Sequence, residues 1–255
     1  MNSKILFSTL ALSAAAAMAG QPAAPAPKAA TSGPSFGDLL VSTKVFVLPE
    51  GQAVLRTRFD AAWFPSDPSE VVFIPEITIG LPGRFQLSLS QESVKAKGDR
   101  WRNAAIFPEV RWGIAPWGEL PLNPTLGLGY EFVAHDKDVV KSSLYLAEEF
   151  GGGQWLWAAN FTYQKRVGGD KERELIAKTG LHYVIVPNKF TLGAEAKFEH
   201  AKTYGVDAGT AKELLVGPAM IWRPMDRLTV RAGSFFGVGL DSPDNESTLS
   251  LEWAF

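Results

Sequence analysis

Residues 247–255 read STLSLEWAF, and this stretch is the clearest single indication of the fold. Side chains alternate across a β-strand, so the apolar residues of the stretch share one face and the polar residues share the other. The apolar face consists of Leu249, Leu251, Trp253 and Phe255. The stretch therefore predicts a strand that is apolar on one side and polar on the other, and that finishes the sequence on an aromatic residue.

The same alternation recurs from residue 51 onwards, in about 12 segments separated by turn-forming residues. The apolar faces carry almost no charge at their centres, whereas the polar faces carry both signs. A Lys or Arg facing lipid near the bilayer midplane costs about 2–4 kcal/mol. Apolar faces without charged residues therefore indicate contact with hydrocarbon. A soluble lipocalin-like barrel has the same period but tolerates charges on its outer face. The pattern predicts an all-β protein, a transmembrane antiparallel up-and-down β-barrel of about 12 strands.

The amino-acid composition excludes several other classes of protein. The chain has 255 residues, 46% of them hydrophobic, a net charge of −2 and no cysteine. Beyond the amino terminus, no run approaches the ~18 apolar residues that a membrane-spanning helix needs. The near-neutral charge gives no case for nucleic acid, and the missing cysteine excludes disulfides, thiolate metal sites and a lipoprotein anchor.

The amino-terminal region divides into three parts before the barrel at 51–255. Residues 1–19 have Lys4, an apolar run and the Ala17-Met18-Ala19 cleavage pattern, which predict a signal peptide rather than a short membrane anchor. Residues 20–34 form a Pro/Ala-rich linker. Residues 35–50 are more apolar; we expect an ordered lead-in or a plug in the lumen, with a periplasmic cap or an extra strand as alternatives.

The connections between the segments also alternate in character. One set is expected to be mostly tight: 82–83, 115–120, 151–153, 187–188 and 224–226. The other set is more polar and often longer: 65–69, 95–102, 135–138, 168–172, 200–210 and 237–246. Short periplasmic turns and longer extracellular loops are typical of outer-membrane barrels. With twelve strands, the start of the first strand and the end of the last strand both fall on the side of the short turns.

Tryptophans provide a second check on this topology. Aromatic rings settle at membrane interfaces because one end is apolar and the other polar. One group falls near the predicted periplasmic boundary: Trp112, Trp117, Trp155, Trp157, Trp222 and Trp253. Trp63 and Trp101 fall near the outer boundary.

A short motif recurs and carries a family resemblance. Residues 75–80 read PEITIG and residues 108–113 read PEVRWG, each running into a turn, and the first is followed by the F-x-L-x-L strand at 85–89. Together with the lead-in TKVFVLPEG at 43–51, this pattern resembles the outer-membrane channels grouped under the MetA pathway of phenol degradation. The resemblance covers most of residues 43–255 and implies an outer-membrane channel, without indicating its cargo.

The inward face suggests passage of solutes. Many small residues, including Gly80, Gly113, Gly127 and Gly129, face the lumen and leave room for a narrow path, although glycine also permits tight curvature of the wall. The predicted lumen-lining charges are Arg56, Arg58, Glu76, Glu109, Arg111, Glu131, Lys178, Glu195, Lys197, Arg231 and Glu252. Neither sign dominates, so the sequence predicts a porin-like channel for small solutes with weak ion selectivity. The expected partners are the outer-membrane bilayer, the barrel-assembly machinery and the solutes themselves. Leu249, Leu251, Trp253 and Phe255 resemble the signal that this assembly machinery reads at the end of outer-membrane barrels.

Two other functions remain open at this point. Charges of both signs can also close a lumen, which would make the protein a plugged structural barrel. An outer-membrane lipid acyl hydrolase would need a Ser–His pair, and only His135, His182 and His200 are available. No Ser has a strand spacing that pairs it with one of them, so we expect no enzyme. No metal, phosphate or nucleotide motif occurs, so no cofactor is expected.

Overall fold

The structure is a computed structural model that describes residue 34 and residues 41–64, 69–134, 136–168, 171–204, 209–239 and 242–255. The predicted signal peptide and most of the linker lie outside these residues. Within them, no helix has the length and apolar character of a transmembrane helix. The one helical element among the described residues is the 3-10 turn Pro82–Arg84.

Strands make up almost all of the described structure. In chain order they are β1 (Ala53–Trp63), β2 (Glu70–Leu81), β3 (Phe85–Ala96), β4 (Arg102–Gly113), β5 (Thr125–Val133), β6 (Val139–Phe150), β7 (Trp155–Arg166), β8 (Lys171–Val186), β9 (Phe190–Tyr204), β10 (Gly209–Met225), β11 (Leu228–Gly237) and β12 (Asn245–Ala254).

Each strand pairs with its sequence neighbours in antiparallel fashion, and β1 pairs with β12 to close the sheet. That closing ladder runs in unbroken register from Val54 opposite Ala254 to Trp63 opposite Asn245. Closure leaves none of the described strands with an unpaired edge, which is a requirement for a sheet inside a bilayer. The prediction of a closed, up-and-down, all-β barrel of 12 strands is confirmed.

The strand pleat places the two kinds of side chain as the alternation predicts. In β12, Leu249, Leu251 and Trp253 are exposed on the outside, whereas Ser250 and Glu252 are buried inside. The same division holds around the barrel, so large hydrophobic side chains cover its outer surface. A core in the usual sense is confined to the lumen.

The barrel has two ends, which we call the inner rim and the outer rim. The inner rim carries the start of β1, the end of β12 and the connections 82–84, 114–124, 151–154, 187–189 and 226–227. The outer rim carries the remaining connections. The turn at 151–154 is tight because Gly151, Gly152 and Gly153 all take positive φ angles, of 63°, 69° and 83°. The connection 114–124 is longer than the tight turn that the sequence predicts there.

Three strands extend farther towards the outer rim than the sequence predicts. β8 begins at Lys171, β9 continues to Tyr204 and β10 begins at Gly209, so most of the predicted loop 200–210 and the last two residues of the predicted loop 168–172 belong to the wall. His200, expected in an outer loop, lies within β9 opposite Lys212 of β10. The alternation of faces continues there with polar residues, which a reading based on hydrophobicity assigns to loops.

Candidate functional site

The barrel lumen is the candidate site, and every predicted lumen-lining charge lies on the inward face of its strand. The residues divide by depth. In the half nearer the inner rim lie Arg56, Glu76, Glu109, Arg111, Glu195, Arg231 and Glu252; in the half nearer the outer rim lie Arg58, Glu131, Lys178 and Lys197. The two halves differ in solvation and in what fills them.

A charge cluster on β1, β2, β11 and β12 lies in the inner half of the lumen. Arg56 donates from Nη1 to Glu76 Oε1 at 2.5 Å and from Nη2 to Glu252 Oε2 at 2.6 Å. Arg231 donates from Nη1 to the same Glu252 oxygen at 2.9 Å. Buried charges persist only when they are paired and hydrogen-bonded, and Glu252 meets this condition by bridging two arginines.

Residues 41–49, which we call the lumenal segment, lie inside the inner half of the barrel. The segment enters at the inner rim, where Leu48 N donates to Gln86 Oε1 at 2.8 Å and Gly51 N donates to Gly80 O at 3.0 Å. Gly80 is needed at this contact, since a Cβ there would lie 1.9 Å from Pro49 O. The backbone of the segment therefore lies directly against the wall.

The middle of the lumenal segment is held from β4 and β7. Asn160 Oδ1 accepts from Lys44 N at 2.6 Å, and its Nδ2 donates to Lys44 O at 2.6 Å. Arg111 Nη1 donates to Phe46 O at 2.7 Å, and the Lys44 ammonium pairs with Glu109. These contacts supply the segment with hydrogen bonds that a neighbouring strand would otherwise provide.

Glu195 of β9 binds the far end of the segment. Its carboxylate accepts hydrogen bonds from Val41 N at 2.7 Å, Ser42 N at 2.8 Å, Ser42 Oγ at 2.6 Å and Thr43 Oγ1 at 3.0 Å. His182 Nε2 lies 3.0 Å from the same carboxylate, and its Nδ1 lies 3.3 Å from Thr191 Oγ1. Glu195 and His182 are 1% and 0% exposed. The buried Glu195 carboxylate therefore anchors this end of the segment to β9.

Apolar contacts complete the filling of the inner half. Val45, Phe46 and Val47 pack with inward side chains of three strands: Ala147, Leu156, Ala158 and Ile221. Val41 packs with Leu215, Ala219 and Phe235. Trp117 also contacts the segment, with its ring centroid 5.3 Å from that of Phe46. Trp117 lies at the inner rim, as its place in the boundary group predicts, but the connection 114–124 turns it towards the lumen rather than the membrane.

The remaining boundary tryptophans lie at the inner-rim ends of their strands. Trp112, Trp155, Trp222 and Trp253 are exposed on the outer surface, and Trp157 is half-buried there. Trp63 and Trp101 lie towards the outer rim and are exposed.

Several residues that hold the segment were not selected from the sequence: Gln86, Asn160, Leu156, Leu215 and Ile221. A signal for them exists, because large aliphatic side chains on inward positions of β7 and β10 are out of place in a water-filled lumen. They indicate that something apolar fills that level of the barrel.

The outer half of the lumen is more open, and its charged side chains are more exposed to solvent. Arg58 pairs with Asp60 at 2.8 Å, Lys141 with Glu131 at 2.6 Å, and Lys197 with Glu199 at 3.0 Å. The side chains in these pairs are 17–33% exposed. A cavity of about 250 Å³ opens towards the outer rim between β5 and β8, beside Lys141 and Glu174. Lys178 forms no ion pair or hydrogen bond within the described residues.

The histidines and acidic residues were the candidates for catalysis and metal binding. No cluster of three or more His, Asp or Glu side chains suited to a metal ion occurs in the described part of the chain. His182 contacts Glu195 and Thr191 rather than a serine, and His200 faces outward from β9. His135 lies outside the described residues.

Comparison with known proteins agrees with this architecture. No protein-family profile matches the sequence, and no curated protein matches it. Among solved structures, the chain is similar to the COG4313 outer membrane channel from Pseudomonas putida F1, with a TM-score of 0.60 and 12% identity over 83% of this chain and 98% of that one. The NanC porin gives a TM-score of 0.54 and 10% identity over 79% and 98% of the two chains.

A third solved structure, the beta domain of the Bordetella autotransporter BrkA, gives a TM-score of 0.51 and 12% identity over 81% of this chain and 100% of that one. At these identities the likeness establishes the fold, and the resemblance to the MetA-pathway family stays a prediction. The chain has the fold of bacterial outer-membrane β-barrels.

Proposed function

We propose that the protein is an outer-membrane channel for small polar solutes, and that the lumenal segment is its gate. The observation that carries this proposal is the contrast inside the lumen. A hydrated outer half, lined with charges of both signs, leads to an inner half that residues 41–49 fill. An empty polar lumen would be an open pore, whereas this one needs the segment to move before solutes pass freely.

The membrane location is supported by the outer surface of the barrel. Large side chains such as Leu55, Phe59, Leu128 and Phe161 are exposed there. Soluble monomers rarely expose continuous apolar surface on this scale, whereas lipid covers it without cost. The predicted signal peptide at 1–19 agrees with export, and the inner rim then faces the periplasm. Two of the structurally similar proteins are described as an outer membrane channel and a porin.

Ion selectivity is expected to be weak, with a small preference for cations. Arg58, Lys141 and Lys197 are each neutralised by a carboxylate. Glu92, Glu174 and Glu213 add further carboxylates on inward positions of the outer half, whereas Lys178 adds one cation. A small surplus of negative charge raises the local concentration of cations.

A plugged structural barrel is the second candidate, because the lumenal segment is bound at both ends and in its middle. An acyl hydrolase has less support, because His182 has Glu195 and Thr191 as partners and no described serine contacts a histidine. The two remaining candidates differ in one property, which is whether releasing the segment produces current.

The test is conductance of the purified full chain in planar phosphatidylcholine bilayers, compared with Glu195→Ala. The substitution removes the acceptor of the hydrogen bonds from Val41, Ser42 and Thr43. Losing about 1–3 kcal/mol of buried hydrogen bonding should raise the open fraction by roughly tenfold. Glu199→Ala is the matched control. It removes a carboxylate that faces the lumen two inward positions farther along β9, beyond the segment, and it should leave the open fraction nearly unchanged.

A chain that carries no current, and still carries none after Glu195→Ala, would favour the structural barrel. Correct folding of each variant is checked by its heat-modifiable migration on gels. Acyl-ester turnover by the same purified protein would instead support the hydrolase.

A further inference from the structure

Three basic side chains form a row on the outer surface near the outer rim. Lys165 of β7 lies directly opposite Arg173 of β8, and Arg173 lies directly opposite Lys202 of β9. All three are exposed and share the outward face with Tyr163 and Leu175. We call Lys165, Arg173 and Lys202 the basic row.

The basic row has no counterion among the described residues. The nearby carboxylates of Asp136 and Glu172 instead bind Arg166, at 3.3 and 2.7 Å. The only described partner of the row is the Tyr204 ring, whose centroid lies 5.6 Å from Arg173 Cζ and 4.9 Å from Lys202 Nζ. Like charges directly opposite each other destabilise a sheet, so the row favours an anion bound against it.

An apolar groove begins directly below the basic row. It is a concavity of about 800 Å³ in the outer surface, extending from β4 to β9, and its lining includes Phe161, Tyr163, Leu175, Ala177 and Phe198. Tyr163 and Leu175 occupy the outward positions next to Lys165 and Arg173. Leu175 is 57% exposed and Leu128 is 60% exposed, so no other part of the described chain covers the groove.

The height of the row matches a lipid headgroup layer. About ten residues separate Lys165 from Trp155 on β7, and at ~3.3 Å each on a strand tilted by ~40° they span roughly 25 Å. That is the height of the apolar band of an outer-membrane barrel. With Trp155 at one interface, the basic row lies at the other.

We propose that the basic row and the groove together bind a phosphorylated membrane lipid of the lipid A class, with phosphates against the row and acyl chains in the groove. The site rests on the membrane location given under the proposed function, but not on conduction. A second copy of the chain is a poorer occupant. Two copies related by an axis along the membrane normal would bring one basic row against the other.

Native mass spectrometry of the full chain in detergent, titrated with diphosphoryl lipid A, tests the site. The variant Lys165→Gln/Arg173→Gln/Lys202→Gln should weaken binding by at least about tenfold, because it removes three charge-assisted contacts. The matched control Lys95→Gln/Lys97→Gln/Arg100→Gln removes three exposed cations near the β3–β4 connection. It should change binding by less than about twofold.

Two further binding measurements identify what occupies the groove. Ala177→Phe fills the groove and should weaken binding of lipid A with or without its phosphates, whereas inorganic phosphate should not displace the lipid. Equal binding by the wild type and the row variant would overturn the proposal. So would a dimer that forms without lipid and disappears with Ala177→Phe, because it would assign the groove to a second copy.

This outcome is separable from that of the channel. A chain that binds lipid A through the row but never conducts would refute the channel and leave the site. A chain that conducts, yet binds lipid equally with and without the row, would refute the site alone.

Discussion

The two halves of the lumen use the same residue types for different purposes. In the inner half, Glu109 and Glu195 are buried and bind the lumenal segment. In the outer half, Glu131 and Glu199 form partly exposed pairs with lysines. An inward charge on a barrel strand is therefore not by itself a pore-lining group. Its role depends on whether water or another part of the chain lies in front of it.

The physical difference is the cost of removing one partner. A buried charge that loses its partner keeps its full desolvation penalty, which is about 3–5 kcal/mol in measured cases. A partly exposed pair is screened by water and contributes about 0–1 kcal/mol. Substitutions in the inner half should therefore affect stability and gating, and those in the outer half should affect selectivity.

The largest expected effect is the loss of stability from Glu109→Gln. The substitution keeps the shape of the side chain but removes the carboxylate that the buried Arg111 guanidinium, the Tyr145 hydroxyl and Lys44 all contact, so we expect a loss of about 3 kcal/mol. The matched substitution Glu131→Gln in the outer half should cost less than about 1 kcal/mol. Equilibrium urea unfolding in lipid vesicles measures both. Similar losses for the two variants would remove the distinction between the halves.

A smaller effect is expected where the lumenal segment meets the wall. Gly80→Ala places a Cβ 1.9 Å from Pro49 O, so the segment must shift away from β2. Thr43 is 0% exposed, and a cysteine at this position should react slowly with a maleimide. Gly80→Ala should accelerate that reaction by roughly tenfold, which corresponds to about 1.4 kcal/mol of easier opening.

Gly129→Ala is the control for this labelling. Gly129 also faces the lumen, but its added Cβ would meet the Phe107 ring and Pro108 O of the wall rather than the segment. Unchanged labelling is expected. Faster labelling in this variant as well would show that the whole barrel loosens, not the segment.

The smallest effect concerns selectivity in the outer half. Lys178→Glu reverses the charge of an inward cation that forms no ion pair within the described residues. It should move the reversal potential in a salt gradient towards cations, with a permeability ratio changed by about two- to threefold. Lys165→Glu makes the same charge change on the outer surface and should have no effect. A null result for Lys178→Glu in a conducting barrel would remove this residue from the solute path.

The sequence predicts the barrel well because side chains alternate between the two faces of a strand, so the direction of one residue fixes the direction of its neighbours. Once Leu249, Leu251 and Trp253 face lipid, the polar residues between them must face the lumen. The same rule places Glu195 and Arg231 on the inward face. Strand ends are harder to predict, since His200 and Lys212 continue the alternation without hydrophobicity, beyond the apolar band.

The contents of the lumen could not be predicted in the same way. Glu195 meets Val41 and Ser42, which lie about 150 residues earlier in the chain, and no local pattern encodes that contact. Trp117 illustrates the same limit, because its outward or inward direction depends on the path of the connection 114–124. A plug was one of several interpretations of residues 35–50, and the contacts of residues 41–49 with β3, β4, β7 and β9 are visible only in three dimensions.

The most direct test of the account is to lock the lumenal segment in place. The natural chain has no cysteine, and a Cβ at Gly233 would lie 3.1 Å from Val41 Cγ1, where a cysteine sulfur would sit. The same Cβ would lie 2.8 Å from the Phe235 ring, which must shift to make room. We predict that Val41→Cys/Gly233→Cys forms a disulfide, conducts little when oxidised, and recovers its current in planar bilayers when a reductant is added. Equal current from the oxidised and reduced forms would contradict the claim that this segment closes the barrel.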